Sequence, residues 1–112
     1  MKKSSLYKGC LEPILLRLLK DNGRMYGYQM TQMVKEITKD ELSITEGALY
    51  PLLHKLEEQG VVETETEMNG NRMRKYYSLT KVGKKQTALA MDEMKAFMQS
   101  LEFIVNPKTV IG

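Results

Sequence analysis

The chain is short of the residues that most chemistry needs. Its 112 residues include one cysteine, one histidine, three prolines and no tryptophan. A lone cysteine, Cys10, excludes an internal disulfide framework and a cysteine metal cluster, and its apolar neighbours suit a buried structural thiol. His54 falls on the outward side of a helix, so neither a catalytic triad nor a histidine-rich metal site is expected within one chain. Glu57 and Glu58 are adjacent and point in different directions, which makes them a poor acid/base pair. No Gly-rich phosphate loop is present. No apolar run is long enough to span a membrane. The basic start, Met1 to Lys3, leads into a stretch broken by Lys8, Glu12, Pro13 and Arg17, so no signal peptide is expected. The absences point to a cytoplasmic protein that is not an enzyme and has no catalytic residues, metal ligands or cofactor.

What remains is an ordinary globular composition, with 42% hydrophobic and 28% charged residues. The length fits one domain with an appended element, and oligomerisation would bury more apolar surface than so small a core can. The net charge of +3 is modest, but its distribution is not even. Arg72, Arg74, Lys75, Lys81, Lys84 and Lys85 lie between Asn71 and Gln86 with no acidic residue among them. Such a run suits a phosphate backbone, where each neutralised phosphate releases counterions. The plain alternative is an exposed hairpin whose arginines pair with Glu65 and Glu67.

Periodicity orders the chain. Leu6, Cys10, Ile14, Leu15, Leu18 and Leu19 predict a first helix to about Lys20, either starting near Glu12 with Pro13 in its first turn or kinked at Pro13. Asp21-Asn22-Gly23 is a turn. A second helix opens at Tyr26-Gly27-Tyr28, ends near Thr38, and buries Tyr28, Met30, Met33, Val34 and Ile37. Thr45 caps a third helix whose inward stripe is Leu49, Leu52, Leu53 and Leu56, ending at Gly60. Pro51 leaves open whether that helix bends or breaks. Its outward side shows Tyr50, His54 and Lys55, which can reach base edges or phosphates.

Val61 to Met68 alternates like a strand, and Asn69-Gly70 is a strong hairpin turn. With those two residues as the loop, Glu67 faces Arg72 and Glu65 faces Arg74, a register preference of about 0.2–1 kcal/mol per pair. Tyr76 and Tyr77 point to opposite faces, one packing beneath the hairpin. Thr80 caps a last helix with a stripe of Ala88, Met91, Met94, Phe97, Met98 and Leu101, extended by Ile104 and Val105. The expected fold is mainly α with a small β-hairpin. A helix feeding a basic-edged hairpin is the layout of a winged helix-turn-helix.

These residues resemble the PadR family of transcriptional regulators. The match runs through Tyr26-Gly27-Tyr28, Gly47-Ala48-Leu49-Tyr50-Pro51-Leu52-Leu53, Lys55-Leu56-Glu57, Gly60, Arg74-Lys75-Tyr76-Tyr77-Ser78-Leu79-Thr80 and Gly83. The resemblance implies that the third helix continues through Pro51. It implies a winged helix-turn-helix over residues 1–80, a C-terminal dimerisation helix over 81–105 and a flexible tail over 106–112, as in the short PadR-like subgroup. It further implies a homodimer on a pseudo-palindromic double-stranded operator, usually as a repressor. Ser43, Thr45, Tyr50 and Lys55 would then lie at or near DNA, with His54 on the same outward face. Arg72, Arg74 and Lys75 would serve the wing, and Tyr28 would divide between packing and phosphate contact. Lys2 and Lys3 are backbone contacts on charge alone.

The last helix would pack on the partner's first and last helices, which assigns Leu6, Cys10, Met91, Met94, Phe97, Met98 and Leu101 to dimerisation. The opposing view folds that helix back on its own domain. Some short members stack flat aromatic drugs between tryptophans, a residue this chain does not contain. Its nine methionines suit either an apolar small-molecule effector or ordinary interface packing. Two competing functions stand beside the DNA reading: a winged-helix protein-interaction module, and a ligand sensor without DNA binding.

Overall fold

The computed structural model describes residues 8–108. A 3-10 turn at Lys8–Cys10 leads into α1 (Leu11–Asn22), β1 (Arg24–Tyr26), α2 (Gly27–Ile37), α3 (Glu46–Glu58), β2 (Val62–Asn69), β3 (Arg72–Leu79) and α4 (Lys81–Val105). The fold is mainly helical, with a three-stranded antiparallel sheet in the order β1-β3-β2. No helix among the described residues is long and apolar enough to cross a membrane.

Local chemistry explains each boundary. Pro13 is the third residue of α1, in the first turn, where a missing N–H leaves no hydrogen bond unmade. That selects the first of the two alternatives for this helix; the periodic position Leu6 lies outside the described residues. Thr45 caps α3 by accepting from Ala48 N at 3.2 Å. The helix runs through Pro51 unbroken. It ends in a Schellman closure, with Val61 N donating to Leu56 O and Gly60 N to Glu57 O. Gly60 carries φ +75°, which a side chain would strain.

Thr80 joins three elements. Its hydroxyl donates to Gly60 O at 2.6 Å and accepts from Gly83 N at 3.0 Å, tying the end of α3 to the start of α4. Gln86 Nε2 adds a hydrogen bond to Glu12 Oε2, linking α4 to α1.

The core is contiguous. Leu15, Leu16, Leu18 and Leu19 of α1 meet Met30 and Val34 of α2, Leu49, Leu53 and Leu56 of α3, and Met25, Val62, Tyr77 and Leu79 of the sheet. Two expected core positions fall outside it. Tyr28 is 61% exposed and Ile37 64% exposed. The buried stripe of α2 is Gly27, Met30 and Val34, and Tyr28 sits one residue, about 100°, around from it. Ile37 continues the stripe past the elements that would cover it. Ala88 is likewise exposed, because α4 turns Gly83 and Thr87 inward.

The register also differs from the expected one. Gly70 and Asn71 form the loop, so Asn69 pairs with Arg72, Glu67 with Arg74 and Glu65 with Tyr76. The shift by one residue on each strand follows from Asn69 extending β2 and Gly70 taking φ +68°. The ion pairs Glu67–Arg72 and Glu65–Arg74 are therefore not formed.

Candidate nucleic-acid interface

Strand β1 was hidden in the sequence, and it decides the electrostatics of the wing. It pairs with β3 over Tyr76–Ser78 only, through Arg24↔Ser78, Met25↔Tyr77 and Tyr26↔Tyr76. Side chains alternate across a sheet, so the register sorts them by face. Met25, Val62, Tyr77 and Leu79 face the core, with Lys75 and Met73 further along the same side. Arg24, Tyr26, Tyr76, Arg74, Arg72, Glu65 and Glu67 share the outer side.

On that outer side Arg24 reaches across β3. Its Nη1 donates to Glu65 Oε1 at 2.9 Å and Glu67 Oε2 at 2.7 Å, and its Nη2 donates to Glu67 Oε1 at 3.0 Å. The guanidinium lies 4.1 Å above the Tyr76 ring centre. Tyr76 meets Tyr26 edge to face at 5.4 Å, and Arg74 lies 4.5 Å above the Tyr26 ring. The hydrogen bond from Arg24 is the main cause that holds the Glu67 carboxyl below its usual value, and the same pairs raise the Arg24 guanidinium above its own. Among the described residues, Arg72 and Arg74 make no ion pair. Tyr77 is the opposite case: burial first, then the Glu57 charge, pushes its phenol up.

Because β1 stops at Tyr26, the edge of β3 over Arg72–Lys75 is open on that side. A groove of about 680 Å³ occupies the gap. Its walls are Tyr26, Gly27 and Tyr28 at the start of α2, Tyr50 of α3, and Arg72 to Lys75 with Tyr77 on the wing. Tyr50 lies directly on Gly27: a Cβ there would sit 2.7 Å from Cζ of Tyr50. A side chain at this position would require the Tyr50 ring to move. Tyr50 remains 43% exposed, so it is both packing and surface.

The predicted DNA residues therefore divide. Tyr28, Tyr50, Arg72, Arg74 and Lys75 come together around one groove. Ser43, Thr45, His54 and Lys55 stay outside it, exposed at the start and along the outward side of α3. His54 Nε2 lies 3.4 Å from Glu58 Oε2, an ion pair only when the imidazole is protonated, and Lys75 pairs with the half-buried Glu57 at 3.5 Å, a weak contact that salt or a phosphate would displace easily. Arg24 was missed by sequence reasoning, since nothing about a three-residue strand after a turn marks it.

The predicted dimer residues lie elsewhere. Cys10, Met91, Met94 and Met98 line an apolar groove of about 400 Å³ with Ile14, Leu18, Val34, Ile37 and Leu42. Phe97 borders an adjoining hollow beside Gly9 and Pro13, and Leu101 lies beyond both. Leu6 lies outside the described residues.

Comparison with known proteins is consistent throughout. Residues 15–89 match the Transcriptional regulator PadR-like family. A Lysinibacillus sphaericus protein named Uncharacterized protein X is 32% identical over 110 residues, covering 91% of this chain and all of its own length. The crystal structure of a PadR-like transcription factor from Bacteroides fragilis is 30% identical, with a TM-score of 0.72 over 91% of this chain and 96% of that one. Bacillus subtilis PadR, solved in complex with operator DNA, is 30% identical with a TM-score of 0.64, covering 70% of this chain and 44% of that one. The family is one of regulators rather than enzymes, and with a match spanning most of its core this chain belongs to the PadR-like family of transcriptional regulators.

Proposed function

We propose that the chain is a cytoplasmic, homodimeric repressor that binds a pseudo-palindromic operator in double-stranded DNA. The observation that carries this reading is the groove where the wing arginines, Lys75, Tyr50 and the start of α2 converge beside the exposed side of α3. Phosphates suit that groove for two reasons. Arg72 and Arg74 have no carboxylate partner among the described residues, and a helix N-terminus favours anions. The outward residues Ser43, Thr45, Tyr50, His54 and Lys55 would enter the major groove, where base edges are distinguishable. The operator complex of the Bacillus subtilis relative supports the same use of this fold.

In a dimer, the apolar groove by Cys10, Met91, Met94 and Met98 would receive the partner's last helix, as residues 81–105 then serve dimerisation beside a DNA-binding unit over 1–80. An apolar small-molecule effector would compete for that same surface and release the repressor.

A gel shift with DNA upstream of the chain's own gene, titrated with salt, tests the reading. Operator binding that weakens steeply with salt is expected; no shift at low salt overturns it. Arg74→Ala should weaken operator and random duplex alike and lower the salt slope by about one. Tyr50→Ala should damage operator binding more than random binding, and equal losses would remove Tyr50 from base readout. Size-exclusion with light scattering should return twice the chain mass.

A further inference from the structure

The acidic strand of the wing is the feature that DNA binding leaves unexplained. Glu65 and Glu67 sit on the same face as Arg74, and Glu67 is its direct cross-strand neighbour. Facing side chains in an antiparallel pair have Cβ atoms about 4.5–5.5 Å apart, close enough for these two to pair. They do not. Arg74 lies over Tyr26 instead, and both carboxylates are occupied by Arg24 from the far strand.

We propose that Arg24 is a positioning residue for DNA binding: by clasping Glu65 and Glu67 it keeps both carboxylates off Arg74 and leaves that guanidinium free for a phosphate. The proposal rests on the DNA reading above.

The geometry gives each group one job. Arg24 commits three of its five N–H donors to carboxylates, through both terminal nitrogens, and its charge is matched there before any phosphate arrives. Tyr76 supports it from below, which fixes its path across β3. The edge-to-face contact of Tyr76 with Tyr26 then sets the second ring, on which Arg74 rests. The two arginines thus cross the sheet in opposite directions, Arg24 towards β2 and Arg74 towards β1. Guanidinium suits the clasp because its planar fork matches a carboxylate in two-point fashion, which an ammonium cannot do. Neutralised, the carboxylates also repel an approaching phosphate less.

Removal of Arg24 should let Glu67 capture Arg74. The test uses the full chain and a random-sequence duplex, so no operator need be known, with affinity read by fluorescence anisotropy across a salt series. Arg24→Met should weaken binding about threefold to tenfold and lower the salt slope by about one, although Arg24 itself touches no phosphate. The triple variant Arg24→Met, Glu65→Gln, Glu67→Gln should restore the slope, because neutral amides cannot hold Arg74. Lys20→Met, which removes the same charge from α1, should leave the slope unchanged.

If Arg24 were itself a phosphate ligand, the triple variant would keep the reduced slope, and the proposal fails. It fails as well if Arg24→Met binds like wild type. Absence of any wild-type binding at low salt overturns the DNA reading itself. Side-chain NMR of Arg74 in the free protein supplies an arm independent of DNA: its Nε–H resonance should move in Arg24→Met and return in the triple variant, and a resonance unmoved in Arg24→Met overturns the capture. Arg24→Lys, the mildest variant for folding, should fall between wild type and Arg24→Met.

Discussion

The two halves of the last helix are different kinds of structure made from the same kind of sequence. From Lys81 to Met94, α4 is seated: Thr80 caps it, Gly83 and Thr87 are buried, and Gln86 is bonded to Glu12 of α1. Beyond Met94 the same helix runs on with Phe97, Met98, Leu101, Ile104 and Val105 in the open, the last two 73% and 79% exposed. Both halves repeat apolar residues at helical spacing. The repeat states that a face needs cover; it does not say whether the cover comes from the same chain.

The comparison breaks first at the core. Leu53 is fully buried in the hydrophobic core. Leu53→Ala removes methyl groups and leaves a cavity, so it should destabilise the fold by about 2–5 kcal/mol, read by urea unfolding. A loss comparable to that of an exposed position would mean that α3 is not seated as described. Thr80→Ala comes next. It deletes a helix cap and the bond to Gly60 O together, and about 1–2 kcal/mol is expected.

The start of the seated half was legible before the structure, though its inward face was not, since Ala88 was expected inside and Gly83 and Thr87 are buried instead; the reasons for what was legible are local. Thr45 and Thr80 each precede a stripe at helical spacing, and caps act within a few residues. The inward leucines of α3 and the alternation of β2 were equally plain. What could not be read were contacts made at a distance. The residue pair Arg24 and Glu67 is separated by 43 positions, and the β1 strand that brings them together is three residues long. The hairpin register slipped by one residue on each strand, because the loop used Gly70 and Asn71 rather than Asn69 and Gly70. At the site, the charge run spans two elements, with Arg72, Arg74 and Lys75 on β3 and Lys81, Lys84 and Lys85 on α4, and it gave no sign that the acidic strand would be held by a third strand. Tyr50 was legible as outward; its fit on Gly27 was not.

The open half of α4 gives a third, smaller effect on the fold itself. Phe97→Glu combined with Leu101→Glu should change the stability of a dilute chain by less than about 0.5 kcal/mol, since both side chains are already exposed. Under the proposed dimer, the same pair should shift the mass measured by light scattering from two chains to one. A variant that unfolds at every concentration would show that the folded monomer depends on this surface more than its exposure suggests.

The smallest effect separates the wing from that surface by pH. The Glu67 carboxyl titrates below its ordinary value of 4.5 because Arg24 donates to it. A lowered folded value means the folded state holds on to the charged form, so its contribution is complete above about 4.5 and is lost as pH falls through the lowered value. The clasp is exposed, and salt will shrink the effect further. Acid should therefore loosen the wing and leave unchanged the proposed dimer surface at Phe97, Met98 and Leu101, which carries no titrating group. Carboxyl NMR of Glu67 alongside light scattering through the same acid titration checks both. Dissociation that tracks the Glu67 midpoint would tie the two regions together and end the contrast between them.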